Sequence, residues 1–264
     1  MFPYKLVVFD IDGTIKDDSQ LVSRNFMNII DTLKSQNCFV TIATGRMSLS
    51  AKNNSIFVPN APIITYQGAQ ILDYETLDNL NTINLDKEYI PIIINKINSY
   101  NVKTMIQYEG SISCESNDEW LKDYAFRNEV EFIYDEKYQK SKLVNPLRIV
   151  LVGNPSDIKN IEYILKEEFS NEVYVTRSLP HFCEILNLEA DKSNSINWLC
   201  NYLGINSSKV LTFGDSYNDI KMLKNLGYGV AVENAVPELK AVSKHVLEKK
   251  GVEGIYQYLK KLVN

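Results

Sequence analysis

Short apolar runs that stop at a polar or glycine residue recur at 5–11, 38–44, 63–66, 209–213, 229–232 and, more weakly, 245–247. Runs of Val, Ile, Phe and Leu this short, without alternation, suit strands buried on both faces. Between them lie helical patterns at 22–35, 48–56, 193–203 and 219–226. The alternation implies a parallel sheet covered by helices on both faces, hence the α/β class. From about residue 84 to 188 the pattern changes. Paired runs at 104–108 and 111–115 flank Glu109-Gly110, a hairpin signal of antiparallel structure, and helical patterns fall near 88–100, 118–127 and 155–169. The expectation is a second, α+β domain inserted into the first, with linkers near 81–84 and 187–190. The Asn-rich stretch 78–84 reads as loop.

Composition narrows the function classes. The 264 residues are 45% hydrophobic, enough for a sizeable core. A net charge of −5 with scattered Lys and Arg leaves no basic stripe for nucleic acid or a membrane surface. Cys38, Cys114, Cys183 and Cys200 are far apart and form no C-x-x-C pair, so they read as buried free thiols of a reducing compartment. With neither a signal-type leader nor an apolar span of membrane length, the expected location is the cytoplasm. His181 and His245 stand far from the acidic motifs, which argues against a Ser/His or Cys/His triad and a histidine-rich metal centre.

Chemistry concentrates in four segments, three of them at the ends of apolar runs. The first run ends in Asp10-Ile-Asp12-Gly-Thr14. Residues two apart on a strand point the same way, so these carboxylates repel unless a cation lies between them. Asp10 suits a nucleophile towards phosphorus, and Asp12 an acid that protonates the leaving oxygen and then activates water. A plain Asp-Gly turn with solvated acids is the competing reading. Thr44-Gly45-Arg46 ends a second run and opens a helix, where a hydroxyl and backbone N–H groups suit phosphate oxygens. Asp191-Lys192-Ser193 starts a later helix, and its lysine can pair with a carboxylate or a phosphate. Gly214-Asp215 ends another buried run, with Asn218 and Asp219 one helical turn on. Oxygen-rich acids without histidine fit Mg²⁺.

These motifs, D-x-D-G-T, T-G-R, a helix-initial Lys and G-D-S-x-N-D-x-x-M-L in this order, resemble those of the haloacid dehalogenase superfamily and are similar to its Cof-type phosphatases. Val232 to Lys240 and Gly251-Val252 resemble the family's C-terminal segment. The resemblance implies a Rossmann-like, doubly wound parallel-sheet core (1–83 and 189–264) with an inserted α+β cap (84–188). It implies Asp10 as nucleophile and Mg²⁺ ligand, and Asp12 as general acid/base with its backbone carbonyl on the metal. Asp215 would be a further ligand, and Asp219 an outer-shell or occasional one. Thr44, Gly45, Lys192 and Asn218 would hold the transferring phosphoryl group. The expected function is Mg²⁺-dependent hydrolysis of a small phosphorylated metabolite (sugar phosphate, pyridoxal phosphate or flavin mononucleotide class) through aspartyl phosphate, by a monomer or weak homodimer. A phosphomutase on the same scaffold and a non-catalytic phosphometabolite sensor are the alternatives.

Departures from the family pattern bear on substrate choice. Tyr66-Gln67-Gly68-Ala69 stands where Asn-Gly-Ala is usual, Ser193 replaces a glycine, and Lys249-Lys250 precedes Gly251. Arg177, Pro180 and His181 lie in an expected cap loop that can overhang the site. Arg148, inside an apolar run, is expected to pair within the cap. Tyrosines of the cap either stack on a ring-shaped substrate or fill half-buried positions.

Overall fold

The computed structural model describes residues 2–16, 23–138 and 143–263. The first half of the core runs β1 (Leu6–Phe9), α1 (Arg24–Ser35), β2 (Phe39–Ile42) and α2 (Ser48–Asn54). Of the expected helix at 22–35, Val22 lies outside the described residues. The chain then forms β3 (Ile63–Thr65), β4 (Gln70–Leu72) and β5 (Asn79–Thr82), a small antiparallel sheet. The inserted part follows as α3 (Tyr89–Lys96), β6 (Lys103–Tyr108), β7 (Ser111–Cys114), α4 (Glu119–Arg127) and β8 (Glu131–Tyr134). It continues through β9 (Arg148–Val152), α5 (Pro155–Phe169), β10 (Val173–Thr176) and β11 (Phe182–Asn187). The return is α6 (Lys192–Leu203), β12 (Val210–Gly214), α7 (Ile220–Asn225), β13 (Tyr228–Ala231), α8 (Pro237–Val242), β14 (His245–Val246) and α9 (Gly251–Val263).

The core sheet is all parallel, in the order β14-β13-β12-β1-β2. Leu6 to Phe9 and Val210 to Gly214 are buried throughout, as continuous apolar strands must be when helices cover both faces. Phe9 stacks on Phe213 at 5.0 Å and meets Phe26 and Phe57 edge-on, locking α1 to the sheet. The chain leaves β1 towards β2 on one side and returns through β12 on the other. The switch point therefore lies between β1 and β12, where a doubly wound sheet leaves its crevice for ligands. Asp10 follows β1 and Asp215 follows β12 at that point.

The inserted sheet, β10-β11-β9-β6-β7-β8, is antiparallel except for β7 and β8. The two-residue turn at Glu109-Gly110 joins β6 to β7 with Gly110 at φ +72°, the left-handed geometry that glycine adopts without strain. One face of this sheet, with Ile106, Ile149, Leu151, Cys183 and Ile185, packs under α3 and α5. The other bears Gln107, Arg148, Val150 and Glu184. Among the described residues no helix is long and apolar enough to cross a membrane. All four cysteines are buried and free.

Two expectations change. The run at 63–66 does not extend the parallel sheet; β3 meets it at a single bridge, Ala43 to Ile64, and turns back onto β4. The turn residues Tyr66 and Gln67 both take positive φ, 47° and 60°, which reverses the chain. The expected loop and linker at 78–84 contains strand β5. None of its residues is buried and all but Leu80 are polar, and its order comes from backbone pairing with β4 and from Ile83 N–H donating to Ala69 C=O at 2.8 Å.

Candidate active site

Lys192 opens α6, whose capping residue Asp191 accepts from Asn194 N–H at 2.8 Å. Ser195 on the next turn donates to Gly68 C=O at 2.7 Å and clamps the helix to the β3–β4 turn. So fixed, Lys192 lies 1% exposed and donates to Asp10 Oδ1 at 2.6 Å and Asp219 Oδ1 at 2.7 Å. The other Asp219 oxygen accepts from the N–H groups of Asp215 and Ser216 at 3.0 and 3.2 Å, one arm of a capping box with Ser216. Both Asp219 oxygens are thus engaged, Oδ1 by Lys192 and Oδ2 by the loop after β12. Asp215 is oriented by Thr14 Oγ1, which donates to its Oδ1 at 2.9 Å. Gly13, at φ +84°, leaves room for Asp215: a Cβ there would fall 2.4 Å from Asp215 Oδ2.

One carboxylate oxygen from each of Asp10, Asp215 and Asp219 falls within 4.8 Å of the others. Burial pushes the Asp10 carboxyl well above the usual carboxylate range; Lys192 opposes this, while Asp219, Asp215 and Asp12 add to it. Asp215 is pushed up to about 7, by burial first and then by Asp219. Burial works against the Lys192 ammonium, but Asp10 and Asp219 overcome it and hold its pKa above the ordinary lysine value. Two buried carboxylates and the half-buried Asp215 beside one ammonium leave negative charge that a hard divalent cation would neutralise, and an all-oxygen donor set suits it. The Asp12 carboxylate stands outside this cluster. It takes a two-pronged ion pair from Arg46, Nε to Oδ2 at 2.7 Å and Nη2 to Oδ1 at 2.6 Å.

Asp10, Asp12, Arg46 and Asp215 line a cavity of about 590 Å³, with Thr44, Gly45 and Asn218 beside them. Arg148, Glu184 and Trp120 reach it from the inserted domain. A buried polar chain joins the two sides. Asn218 Nδ2 donates to Gln67 Oε1 at 2.9 Å, Gln67 Nε2 donates to Glu184 Oε1 at 2.9 Å, and Glu184 pairs with Arg148. Arg148 also donates to Gln107 Oε1 and Gly45 C=O, both at 2.7 Å, and its guanidinium lies over the Tyr66 ring. Because a carboxylate only accepts, Glu184 turns the Gln67 amide, which in turn makes Asn218 donate. Asn218 Oδ1 is then left buried without a protein partner. Gln67 also accounts for Gly45: a Cβ there would meet Gln67 Nε2 at 2.4 Å.

The structure therefore brings together Asp10, Lys192, Asp215 and Asp219 by direct contact or within one cluster, and Thr44, Gly45 and Asn218 along one cavity. Arg148 pairs inside the cap as expected and also reaches the core. His181 lines the cavity, whereas Arg177 pairs with Glu162 and lies over Tyr217. Arg46 and Glu184 received no role from sequence reasoning. The signal for Glu184 and Arg148 was a charge in the interior of an apolar strand, which burial forbids unless it is paired.

Two predictions arise here. Thr14→Val, which keeps the shape but removes the hydroxyl holding Asp215, should lower Mg²⁺ affinity by about 10- to 100-fold in calorimetric titration. Gln67→Leu should cost about 1–3 kcal/mol in denaturant unfolding, because Glu184 and Asn218 each lose a buried partner.

The model of the haloacid dehalogenase-like hydrolases matches residues 7–259. An HMP-PP phosphatase of Klebsiella pneumoniae is 26% identical over 92% of this chain and 89% of its own. The 5-amino-6-(5-phospho-D-ribitylamino)uracil phosphatase of Bacillus subtilis is 23% identical over 98% and 97%. A solved haloacid dehalogenase-like hydrolase of B. subtilis superposes with a TM-score of 0.83, at 20% identity, over 97% of this chain and 99% of that one. With paired strand-end aspartates, a helix-initial lysine and an inserted cap, the chain belongs to the Cof-type haloacid dehalogenase-like hydrolases and is a phosphomonoester hydrolase.

Proposed function

We propose that this protein is a Mg²⁺-dependent phosphatase that cleaves a small phosphorylated metabolite through an aspartyl phosphate on Asp10. The observation that carries this reading is the buried Asp10–Lys192–Asp219 contact beside Asp215, at the sheet's switch point and next to a cavity that Asp10 and Asp215 line. Residues 1–83 and 189–264 supply the chemistry, and residues 84–188 form the cap. The names of the relatives, which include a phosphatase of a ribitylamino-uracil, support a small phosphoester as substrate.

Asp10 and Asp215 side chains, with the Asp12 backbone carbonyl, would hold Mg²⁺, and Asp219 supports them from behind. Bound there, the cation neutralises phosphate charge and aligns the phosphoryl group with Asp10. Lys192 stabilises the same charge and keeps Asp10 pointed at the cavity. Thr44 Oγ1 accepts from Arg46 N–H at 3.1 Å, which leaves its own hydrogen to donate to a phosphoryl oxygen. A carboxylate oxygen of Asp10 attacks phosphorus, and the bond to the ester oxygen breaks as Asp12 passes a proton to that oxygen. Asp12 then takes a proton from water, whose oxygen displaces Asp10 and releases phosphate. For this, Asp12 exchanges one of its Arg46 contacts for the ester oxygen, so Arg46 holds Asp12 in place between turnovers.

The test is phosphate release from acetyl phosphate and a panel of phosphometabolites, with Mg²⁺ or with chelator. Turnover that chelator removes and Mg²⁺ restores is expected. Turnover indifferent to chelator, or none on any compound, contradicts the reading.

A further inference from the structure

We infer that the substrate carries a planar heteroaromatic ring beyond its phosphate, and that Trp120, Tyr124 and Phe182 form the surface on which this ring stacks. The inference rests on the phosphatase reading above and names the class of compound. Helix α4 starts at a fixed point, because the capping Asp118 carboxylate accepts from Trp120 N–H at 2.9 Å. That start sets Trp120 and Tyr124, four residues apart, on one helix face. Their rings stack with centroids 5.6 Å apart and planes at 22°. Phe182, opening β11, completes the patch at 6.3 Å from Trp120 and 6.2 Å from Tyr124. All three are half-buried and line the cavity that Asp10 floors.

Trp120, Tyr124 and Phe182 pack against the core cluster that holds Leu121 and Ala125, and they also line the cavity. Leu121 and Ala125, one position on, are already buried and seal α4 to its sheet. The larger rings are not sealed by that packing: they stay half-exposed and present surface to the cavity. They are also held before any ligand arrives. The Tyr124 hydroxyl accepts from Gln107 Nε2 at 3.3 Å, and Gln107 Oε1 accepts from Arg148, the cation that contacts Gly45 C=O beside Asp10. A pre-ordered aromatic surface loses little side-chain freedom when a flat ring settles on it. At the end of α4, Arg127 and Asn128 also line the cavity and offer donors to ring nitrogens or carbonyl oxygens, which favours a heteroaromatic ring over a plain aryl group.

The experiment compares kcat/KM for riboflavin 5′-phosphate, pyridoxal 5′-phosphate and uridine 5′-monophosphate with that for glucose 6-phosphate. It uses the wild-type protein, Trp120→Ala and Trp120→Phe in Mg²⁺. The wild type should prefer at least one ring compound. Trp120→Ala should lower the ratio of ring to sugar activity by about 10- to 100-fold, chiefly through KM, and Trp120→Phe should recover most of it. A wild type that prefers glucose 6-phosphate to all three, or a Trp120→Ala that lowers both classes equally, overturns the inference while leaving the phosphatase standing. No turnover of any compound, acetyl phosphate included, overturns both.

Discussion

Asp10→Asn should lower kcat by about 10⁶, the scale on which an enzyme loses its nucleophile. The amide keeps the shape and an oxygen for Lys192, so the loss reports chemistry and not collapse of the site. Stability should move the other way or not at all. Burial and three neighbouring carboxylates already disfavour the ionised Asp10 in the metal-free protein, and a neutral amide removes that opposition. The check is a phosphate-release assay beside thermal melting in chelator: activity gone, melting temperature equal to wild type or higher. A variant that melts normally and still turns over at a hundredth of the wild-type rate would assign the nucleophile elsewhere.

Lys192→Met should damage both folding and chemistry. The ammonium is buried between Asp10 and Asp219, and its removal leaves both facing Asp215 without a compensating charge. Removing one partner of such a buried pair costs about 3–5 kcal/mol, or roughly 10 °C in melting temperature for a chain of this size. Mg²⁺ should restore part of the stability, because a cation between the carboxylates replaces some of the lost charge. Activity should not return with it. Lys192 also keeps Asp10 aimed at the cavity, and losing one stabilising donor costs about 10²–10³ in kcat. Melting curves with and without Mg²⁺, read beside kcat, separate these effects. Full recovery of both by Mg²⁺ would reduce Lys192 to a structural counter-ion.

The core was legible where chemistry and periodicity coincide. Asp10, Thr44 and Asp215 each end an apolar run, and parallel strands deliver their ends to one edge of the sheet. Lys192 was legible only through the family resemblance, because an exposed lysine in a first helical turn has the same sequence pattern. Less could be read where order comes from backbone pairing. Strand β5 has no apolar alternation, and its Asn-rich residues look like loop until β4 lies beside them. The Gln67 to Glu184 link spans 117 residues of sequence and depends on the register of β9 against β11, which sets Glu184 diagonal to Arg148. Gln67 appeared in the sequence only as a lengthened amide; its φ of +60° and its place between Asn218 and the cap are products of the folded chain. The tyrosines of the cap were open to two readings, and Trp120 and Phe182 to none, because a helix face shows its periodicity without showing whether a cavity or a neighbouring element covers it.

The most direct measurement is an acid quench during turnover in Mg²⁺, followed by peptide mass mapping of the wild-type protein. A covalent phosphoryl group on Asp10, absent without Mg²⁺ and absent in Asp10→Asn, is the predicted result. Turnover that proceeds with Asp10 unmodified at every quench time, or with the phosphoryl group on another residue, would contradict the account.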